Sequence, residues 1–265
     1  MWLVSPAMFD REAFIRGIDG PGYVVVQDAL PREFIVRCKQ ELERAIELET
    51  EYHRGRTDYR DYAMVLICPL YGRSFIDLFD IPVVTEGFNA ILGPGCITYA
   101  YTSSSMPPHR TNYSARIHVD CPRLIPGFRT NMGAMFMLDD FTLDNGATYM
   151  LAGSQTRKDE PSREEFFRDS KRVVAPAGSI CFFDARVWHA GGENKTDKWR
   201  HCVTLNMCRP WMKQRLDIPR AMSHVDITGV SETALQKLGF RSQVPANYEE
   251  FFAPIEKRPF RQAPE

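Results

Sequence analysis

Ile117-His118-Val119-Asp120 is the run of this sequence best equipped for chemistry. Successive side chains of an extended backbone point to opposite faces, so Arg116, His118 and Asp120 share one face. An imidazole and a carboxylate two residues apart then reach one ion without bending the chain. A further ligand has to come from another strand. His189, which ends the largely apolar run from Phe182 to Trp188, is the candidate. Two histidines and one carboxylate on one side of a metal leave its other positions open, the facial arrangement of non-haem iron(II) sites. The same side chains can equally hold zinc and activate water for hydrolysis or isomerisation. An H-x-D tripeptide is a weak signal by itself, and its surroundings have to add to it.

Arg200 adds to it. It stands eleven positions beyond His189, after a Gly-Gly turn, and opens another β-like run. On a strand it shares a face with Cys202, Thr204 and Asn206. A guanidinium among small polar side chains suggests an inward cation that needs an anion, and arginine grips carboxylates through a two-pronged, charge-assisted fork. An ordinary exposed arginine at the start of a strand is the competing reading.

These residues need strands to carry them. From about residue 96 the sequence breaks into short β-like runs bounded by Gly, Pro, Asn and Asp: 97–101, 116–120, 131–138, 147–151, 173–174, 179–183 and 202–207. Short strands at such intervals point to a sandwich or barrel. Ahead of them, Phe9–Arg16 reads as a short helix and Tyr23–Val26 as a strand after Gly20-Pro21-Gly22. A clearer helix begins at Pro31, with Phe34, Cys38, Leu42, Ala45 and Ile46 at helical spacing. Ser162-Arg163-Glu164-Glu165 resembles a capping box, and a short helix is expected near 231–239. The tail from about 212 either caps the barrel or contacts a second subunit.

With 33 Lys plus Arg against 34 Asp plus Glu, the net charge of −1 excludes a generally basic nucleic-acid binder. No apolar stretch is long enough to span a membrane. The apolar start at residues 1–6 lacks the basic flank and length of a signal peptide. The 7 cysteines are odd in number and scattered without a C-x-x-C, which points to free thiols in a reducing cytoplasm.

Taken together, the residues resemble the phytanoyl-CoA dioxygenase-like branch of the iron(II)/2-oxoglutarate oxygenases. The resemblance runs from about Gly20 to Asn206. It rests on His118-Val119-Asp120, on His189 with Arg200, and on the acidic turn Leu138–Thr148 followed by Leu151-Ala152-Gly153-Ser154. Where the family has histidine after that Gly-Ser pair, this chain has Gln155. The resemblance implies one domain over residues 1–265. Its core would be mainly β, a double-stranded β-helix or cupin-like jelly roll at about 96–210, with a helical flank at about 1–95 and an extension at about 211–265. It implies iron held by His118, Asp120 and His189, the distal carboxylate of 2-oxoglutarate on Arg200, and Thr148 in contact with the cosubstrate. Tyr101 and Arg116 are weaker candidates for the same pocket.

The activity so implied consumes O2 and 2-oxoglutarate, releases succinate and CO2, and oxidises a C–H bond of a small molecule. Related halogenases have glycine or alanine where Asp120 stands, so hydroxylation is expected over halogenation. Desaturation, ring closure and epimerisation on the same site remain alternatives, as do a non-oxidative metal hydrolase and a binding protein on the same fold. Arg110, Arg116, Arg123 and Arg129 crowd the H-x-D run, and Arg186 precedes His189. Arg123, Arg129 and Arg186 are therefore candidates for holding an anionic substrate, unless they pair with local acids such as Asp139, Asp140 and Asp184. Oligomeric state is not legible.

Overall fold

The runs expected to be strands pair, for the most part, into two sheets. The computed structural model describes residues 3–4, 9–59 and 61–258, so the start of the chain lies outside it apart from Leu3–Val4. In chain order the strands are β1 (Leu3–Val4), β2 (Tyr23–Val26), β3 (Ile97–Ser103), β4 (Asn131–Met137), β5 (Tyr149–Met150), β6 (Lys171–Arg172), β7 (Ile180–Asp184), β8 (His189–Ala190) and β9 (Cys202–Cys208). The larger sheet runs β1-β2-β7-β4-β9-β3, and the smaller runs β6-β5-β8. Apart from the parallel β1–β2 pair, every ladder is antiparallel. Two facing antiparallel sheets with helices outside one of them are the expected jelly roll.

Alternation along the strands builds two apolar layers. Met132, Ala134 and Phe136 of β4, Ile180 and Phe182 of β7, and Val203, Leu205 and Met207 of β9 face outward, where helices bury them. Their neighbours Met135, Met137, Cys181, Phe183 and Cys202 face inward and pack beneath the smaller sheet. Burying each large apolar side chain contributes about 1.5–3 kcal/mol.

The outer layer is supplied by α1 (Arg11–Asp19), α2 (Arg32–Tyr52), α3 (Ser74–Asp77) and α4 (Pro82–Leu92). Asp10 caps α1 by accepting from the Ala13 amide at 2.9 Å. In α2 the buried positions are Phe34, Cys38, Leu42, Ala45 and Ile46, the stripe expected from the sequence. Helix α4, which the sequence reading did not single out, buries one stripe at Val83, Val84, Gly87, Phe88 and Leu92. After α5 (Arg163–Asp169), capped by Ser162 as expected, come α6 (Ile218–Ala221), α7 (Glu232–Leu238) and α8 (Tyr248–Phe252). The tail closes over the free edge of β3: Gln214 Nε2 donates to Thr98 O at 2.7 Å and the Arg215 amide to Tyr99 O at 2.9 Å. No helix among the described residues is long and apolar enough to cross a membrane.

Gly133 on β4 faces the interior, where a Cβ would lie 2.2 Å from Phe183 Cζ. The Phe183 ring in turn packs against His189, with centroids 5.1 Å apart. Gly133→Ala is therefore expected to cost about 1–3 kcal/mol through overpacking and to push Phe183 toward the histidine. Chemical denaturation measures the first effect. A melting curve unchanged by the alanine would contradict this packing.

Candidate active site

The expected strand at 116–120 does not form a ladder. A single antiparallel pairing takes its place: the His118 amide donates to His189 O at 3.0 Å and the His189 amide to His118 O at 2.9 Å. This mutual pair sets the two histidines directly opposite each other, with ring centroids 4.2 Å apart. Asp120 is fixed by its own amide, which donates to Ala185 O at 2.9 Å. The Gly-Ser segment braces the same region. Ser154 Oγ accepts from the Trp188 amide at 2.9 Å, and the Leu151 amide donates to Trp188 O at 2.9 Å. Gln155, at the position where the family has histidine, ties this turn to the end of α1 by donating to Asp19 O and Gly20 O.

Both imidazoles are oriented by backbone carbonyls. His118 Nδ1 lies 2.8 Å from Arg116 O, and His189 Nδ1 lies 2.9 Å from Val187 O. A carbonyl only accepts, so each Nδ1 carries the proton and each Nε2 presents a lone pair. The two Nε2 atoms lie 3.6 and 3.8 Å from the same oxygen, Asp120 Oδ1. Ligand atoms of these residues all fall within 4.8 Å of one another. Burial, and then the neighbouring His189, pulls the His118 imidazole down to about 4, which keeps it neutral and ready to donate near neutral pH. Two oriented imidazoles and a carboxylate, converging from one side, fit the donor set of ferrous iron.

The open side of this cluster faces a cavity of about 500 Å³. Its walls include Tyr99, Ser104, Tyr113, Ser114, Thr148, Thr204 and Asn206, and the exposed Asp61, Arg116 and Arg215 mark its mouth. Thr148 and Arg116 thus reach the cavity. Tyr101 does not. A β-bulge between Thr98 and Ala100 shifts the phase of β3, so Ala100 and Thr102 face inward. Tyr101 points to the helices and donates to Phe75 O at 2.8 Å. Tyr99 takes the cavity side.

Arg200 is 1% exposed and sits behind this wall. Its guanidinium lies over the Phe141 ring, 4.2 Å from the centroid. It donates long bonds to three backbone carbonyls: Ser104 O at 3.2 Å, Asn145 O at 3.4 Å and Gly146 O at 3.4 Å. Two of these come from the acidic turn, whose Asn-Gly pair owes its shape to Gly146. There φ is +88°, and a Cβ would meet Gly192 O at 2.8 Å. Among the described residues Arg200 has no carboxylate partner within ion-pair distance, and burial lowers its affinity for a proton.

The other arginines are placed elsewhere. Arg129 pairs with Asp19 at 2.8 Å and Asp184 at 2.7 Å. Arg186 is buried and donates to Pro122 O and Arg157 O. Arg123 is exposed and borders a separate groove with both of them. Arg129 and Arg186 are thus engaged by local acids and carbonyls, and neither lines the cavity beside the histidines. Arg123 does not reach the cavity. Arg215, supplied by the tail, had no signal in the sequence.

His201, next to Arg200, yields a pH prediction. Burial pulls it down to about 4, with the charges of Lys39 and Arg200 adding to the effect and Asp139 opposing it. Between that value and the ordinary 6.5 the unfolded chain binds more protons than the folded one. This contribution to stability is complete above pH 6.5 and disappears as pH falls toward 4. It amounts to at most about 3 kcal/mol. Denaturation of the metal-free protein across this range is expected to show the loss, and His201→Gln to make it shallower, with the remainder coming from His118. An equally steep loss in the variant would count against the assignment.

Comparison with known proteins agrees with the geometry. The sequence model of the family "Phytanoyl-CoA dioxygenase (PhyH)" matches residues 18–202. The uncharacterized protein Rv1501 of Mycobacterium tuberculosis is 29% identical over 248 residues, 91% of either chain. The iron/alpha-ketoglutarate-dependent dioxygenase penM of Penicillium thymicola is 23% identical over 245 residues, 84% of this chain and 75% of that one. The crystal structure of SnoK, a non-haem alpha-ketoglutarate-dependent carbocyclase from nogalamycin biosynthesis, shares the fold with a TM-score of 0.63 and 18% identity, covering 85% of this chain and 94% of SnoK. With its jelly roll and its His-Asp-His cluster open to a cavity, the chain belongs to the phytanoyl-CoA dioxygenase family and is a dioxygenase that uses iron(II), 2-oxoglutarate and O2.

Proposed function

We propose that this dioxygenase works as one domain and hydroxylates an unactivated C–H bond of a small anionic metabolite, releasing succinate and CO2. The observation that carries the reading is the cavity. It opens on the free side of His118, Asp120 and His189, and its inner wall is backed by a buried guanidinium that has no carboxylate partner among the described residues. His118, Asp120 and His189 would hold the iron, which when bound supplies oxidation of a C–H bond at the expense of 2-oxoglutarate and O2. Asp120 fills the position that halogenases leave empty, which favours hydroxylation.

The chain's own residues do the rest. The backbone carbonyls of Arg116 and Val187 hold the histidine rings in the tautomer that presents Nε2. Arg200 would receive the distal carboxylate of 2-oxoglutarate, exchanging long bonds to neutral carbonyls for a charge-assisted pair. Thr148, buried beside Met135 with its Oγ1 3.5 Å from Sδ, would hold the cosubstrate from the adjoining wall. Arg116 stacks on Tyr113 at 4.0 Å and stands with Arg215 at the mouth, where both would draw in a negatively charged substrate. The Phe183 ring packed on His189 keeps water from that side of the site. Seven buried free thiols support a cytoplasmic setting.

Family membership displaces the hydrolase and binding-protein readings. The test is a screen of carboxylated and phosphorylated metabolites for substrate-dependent succinate release, with product masses recorded. A product that gains one oxygen atom supports hydroxylation. Loss of two hydrogens would replace it with desaturation or ring closure, and an unchanged mass with epimerisation. Release driven only by uncharged compounds would remove the anionic part.

A further inference from the structure

We infer that Asn206 is a positioning residue that dictates which oxygen of Asp120 meets the metal, and that Asn131 and Thr130 set the direction of its amide. The inference rests on the proposed metal-binding role of His118, Asp120 and His189.

Asn206 and Asn131 are inward residues of β9 and β4 and lie on adjacent strands. Gly133 stands directly opposite Asn206 and offers it no side chain, so the amide lies diagonal to Asn131 and reaches it at 3.0 Å. Asn206 Nδ2 donates to Asp120 Oδ2 at 3.3 Å. Asn131 Nδ2 donates to Asn206 Oδ1, and Thr130 Oγ1 donates to Asn131 Oδ1 at 2.9 Å. Cys121 Sγ lies 3.4 Å from Thr130 Oγ1 and ends the chain. Thr130, Asn131 and Asn206 are all buried.

The direction of this chain follows from its charged end. An ionised carboxylate only accepts, so Asn206 must turn its NH2 toward Asp120. Its carbonyl then faces Asn131, which must donate. The Asn131 carbonyl is left to accept from the Thr130 hydroxyl, and Thr130 Oγ to accept from the Cys121 thiol. Every amide has one consistent setting, and reversing any of them would oppose two like groups in a buried site, where an unmade hydrogen bond is costly. An acceptor-only group at one end thus orders side chains on two strands.

The consequence falls on Asp120. Its Oδ2 is engaged by Asn206, whereas Oδ1 is the oxygen shared between the two Nε2 atoms. A carboxylate free to rotate can grip an ion through both oxygens and consume a position the cosubstrate needs. Held by Asn206, it offers one. Hydrogen-bond partners of metal ligands typically account for about a ten- to a hundredfold difference in affinity.

The test is Co(II) binding to the full chain, read from the visible absorption of the bound ion without turnover. Wild type, Asn206→Leu and Asn131→Asp are compared, with the melting temperature of each metal-free protein. Asn206→Leu keeps the side chain's size and removes the donor, and its affinity is expected to fall by about ten- to a hundredfold. Asn131→Asp retains an acceptor for Thr130 but cannot donate to Asn206, so the Asn206 amide turns away from Asp120 and affinity falls as well. An added negative charge alone would tighten a cation site, so that fall separates orientation from bulk charge. Unaltered Co(II) affinity in Asn206→Leu overturns the inference and leaves the ligand set standing. Should that variant not fold, Asn131→Asp decides: weaker binding supports the relay, and equal or tighter binding overturns it. A folded wild type that takes up no Co(II) overturns the ligand set, and this inference with it.

Discussion

His189→Ala is expected to reduce iron-dependent succinate release by more than about a hundredfold while leaving the fold intact. The first part follows from ligand count. Loss of a residue that only supports a ligand typically costs about ten- to a hundredfold in affinity or activity, and His189 presents Nε2 itself toward the shared Asp120 oxygen. The second part follows from the backbone. The pairing between residues 118 and 189 uses amides and carbonyls, which alanine retains. The Trp188 amide keeps its bond to Ser154, so the segment stays braced on both sides. Circular dichroism and melting of the metal-free protein check the fold, Co(II) titration checks the site, and succinate release checks the reaction. Turnover near the wild-type rate in a folded variant would show that iron is held elsewhere.

What the sequence disclosed about this site, and what it hid, divides along the range of the contacts involved. His118 and Asp120 were legible together because alternation along an extended segment is a local rule, and it held although no ladder forms there. The inward face of Arg200, Thr204 and Asn206 was legible for the same reason. Thr204 and Asn206 do line the cavity, while Arg200 backs its wall. Tyr101 was misplaced by one residue of phase. The bulge between Thr98 and Ala100 inverts every later side chain of β3, and nothing in Ile97-Thr98-Tyr99-Ala100-Tyr101 announces it. The contacts of the arginines near the H-x-D run were hidden for a different reason. Arg129 finds one of its acids, Asp19, at the end of the first helix, a contact that local sequence cannot contain. Arg215 reaches the cavity mouth only because the tail closes on the edge of β3, and its amide bond to Tyr99 is equally non-local. The jelly roll was legible from many short runs with turn residues between them. Helix α4 went unread although Val83, Val84, Gly87, Phe88 and Leu92 recur at helical spacing behind Pro82; at 11 residues it offers only three turns of that pattern.

Arg200→Leu is expected to raise the 2-oxoglutarate requirement by about thirtyfold or more, and to leave the ligand-free protein as stable as wild type or more so. The two effects have opposite signs because they describe one charge in two states. Without a cosubstrate the guanidinium is buried, its bonds to Ser104, Asn145 and Gly146 are long, and all of them go to neutral carbonyls. Burying a charge costs several kcal/mol unless a partner compensates, and replacing such a group with an apolar side chain of similar reach is often neutral or stabilising. The contact with the Phe141 ring returns part of that cost. With 2-oxoglutarate bound, the same guanidinium would gain a carboxylate in a dry site. Removing one partner of such a buried pair costs about 2–5 kcal/mol, which sets the thirtyfold lower figure. Affinity for Co(II) should be unchanged, since Arg200 touches no ligand atom. The decisive measurement is the rise in melting temperature on adding 2-oxoglutarate to the Co(II)-loaded protein, large in wild type and absent in Arg200→Leu. A lower melting point in the ligand-free variant, together with an undiminished rise on adding 2-oxoglutarate, would make Arg200 a structural residue and place the cosubstrate carboxylate on another cation of the cavity.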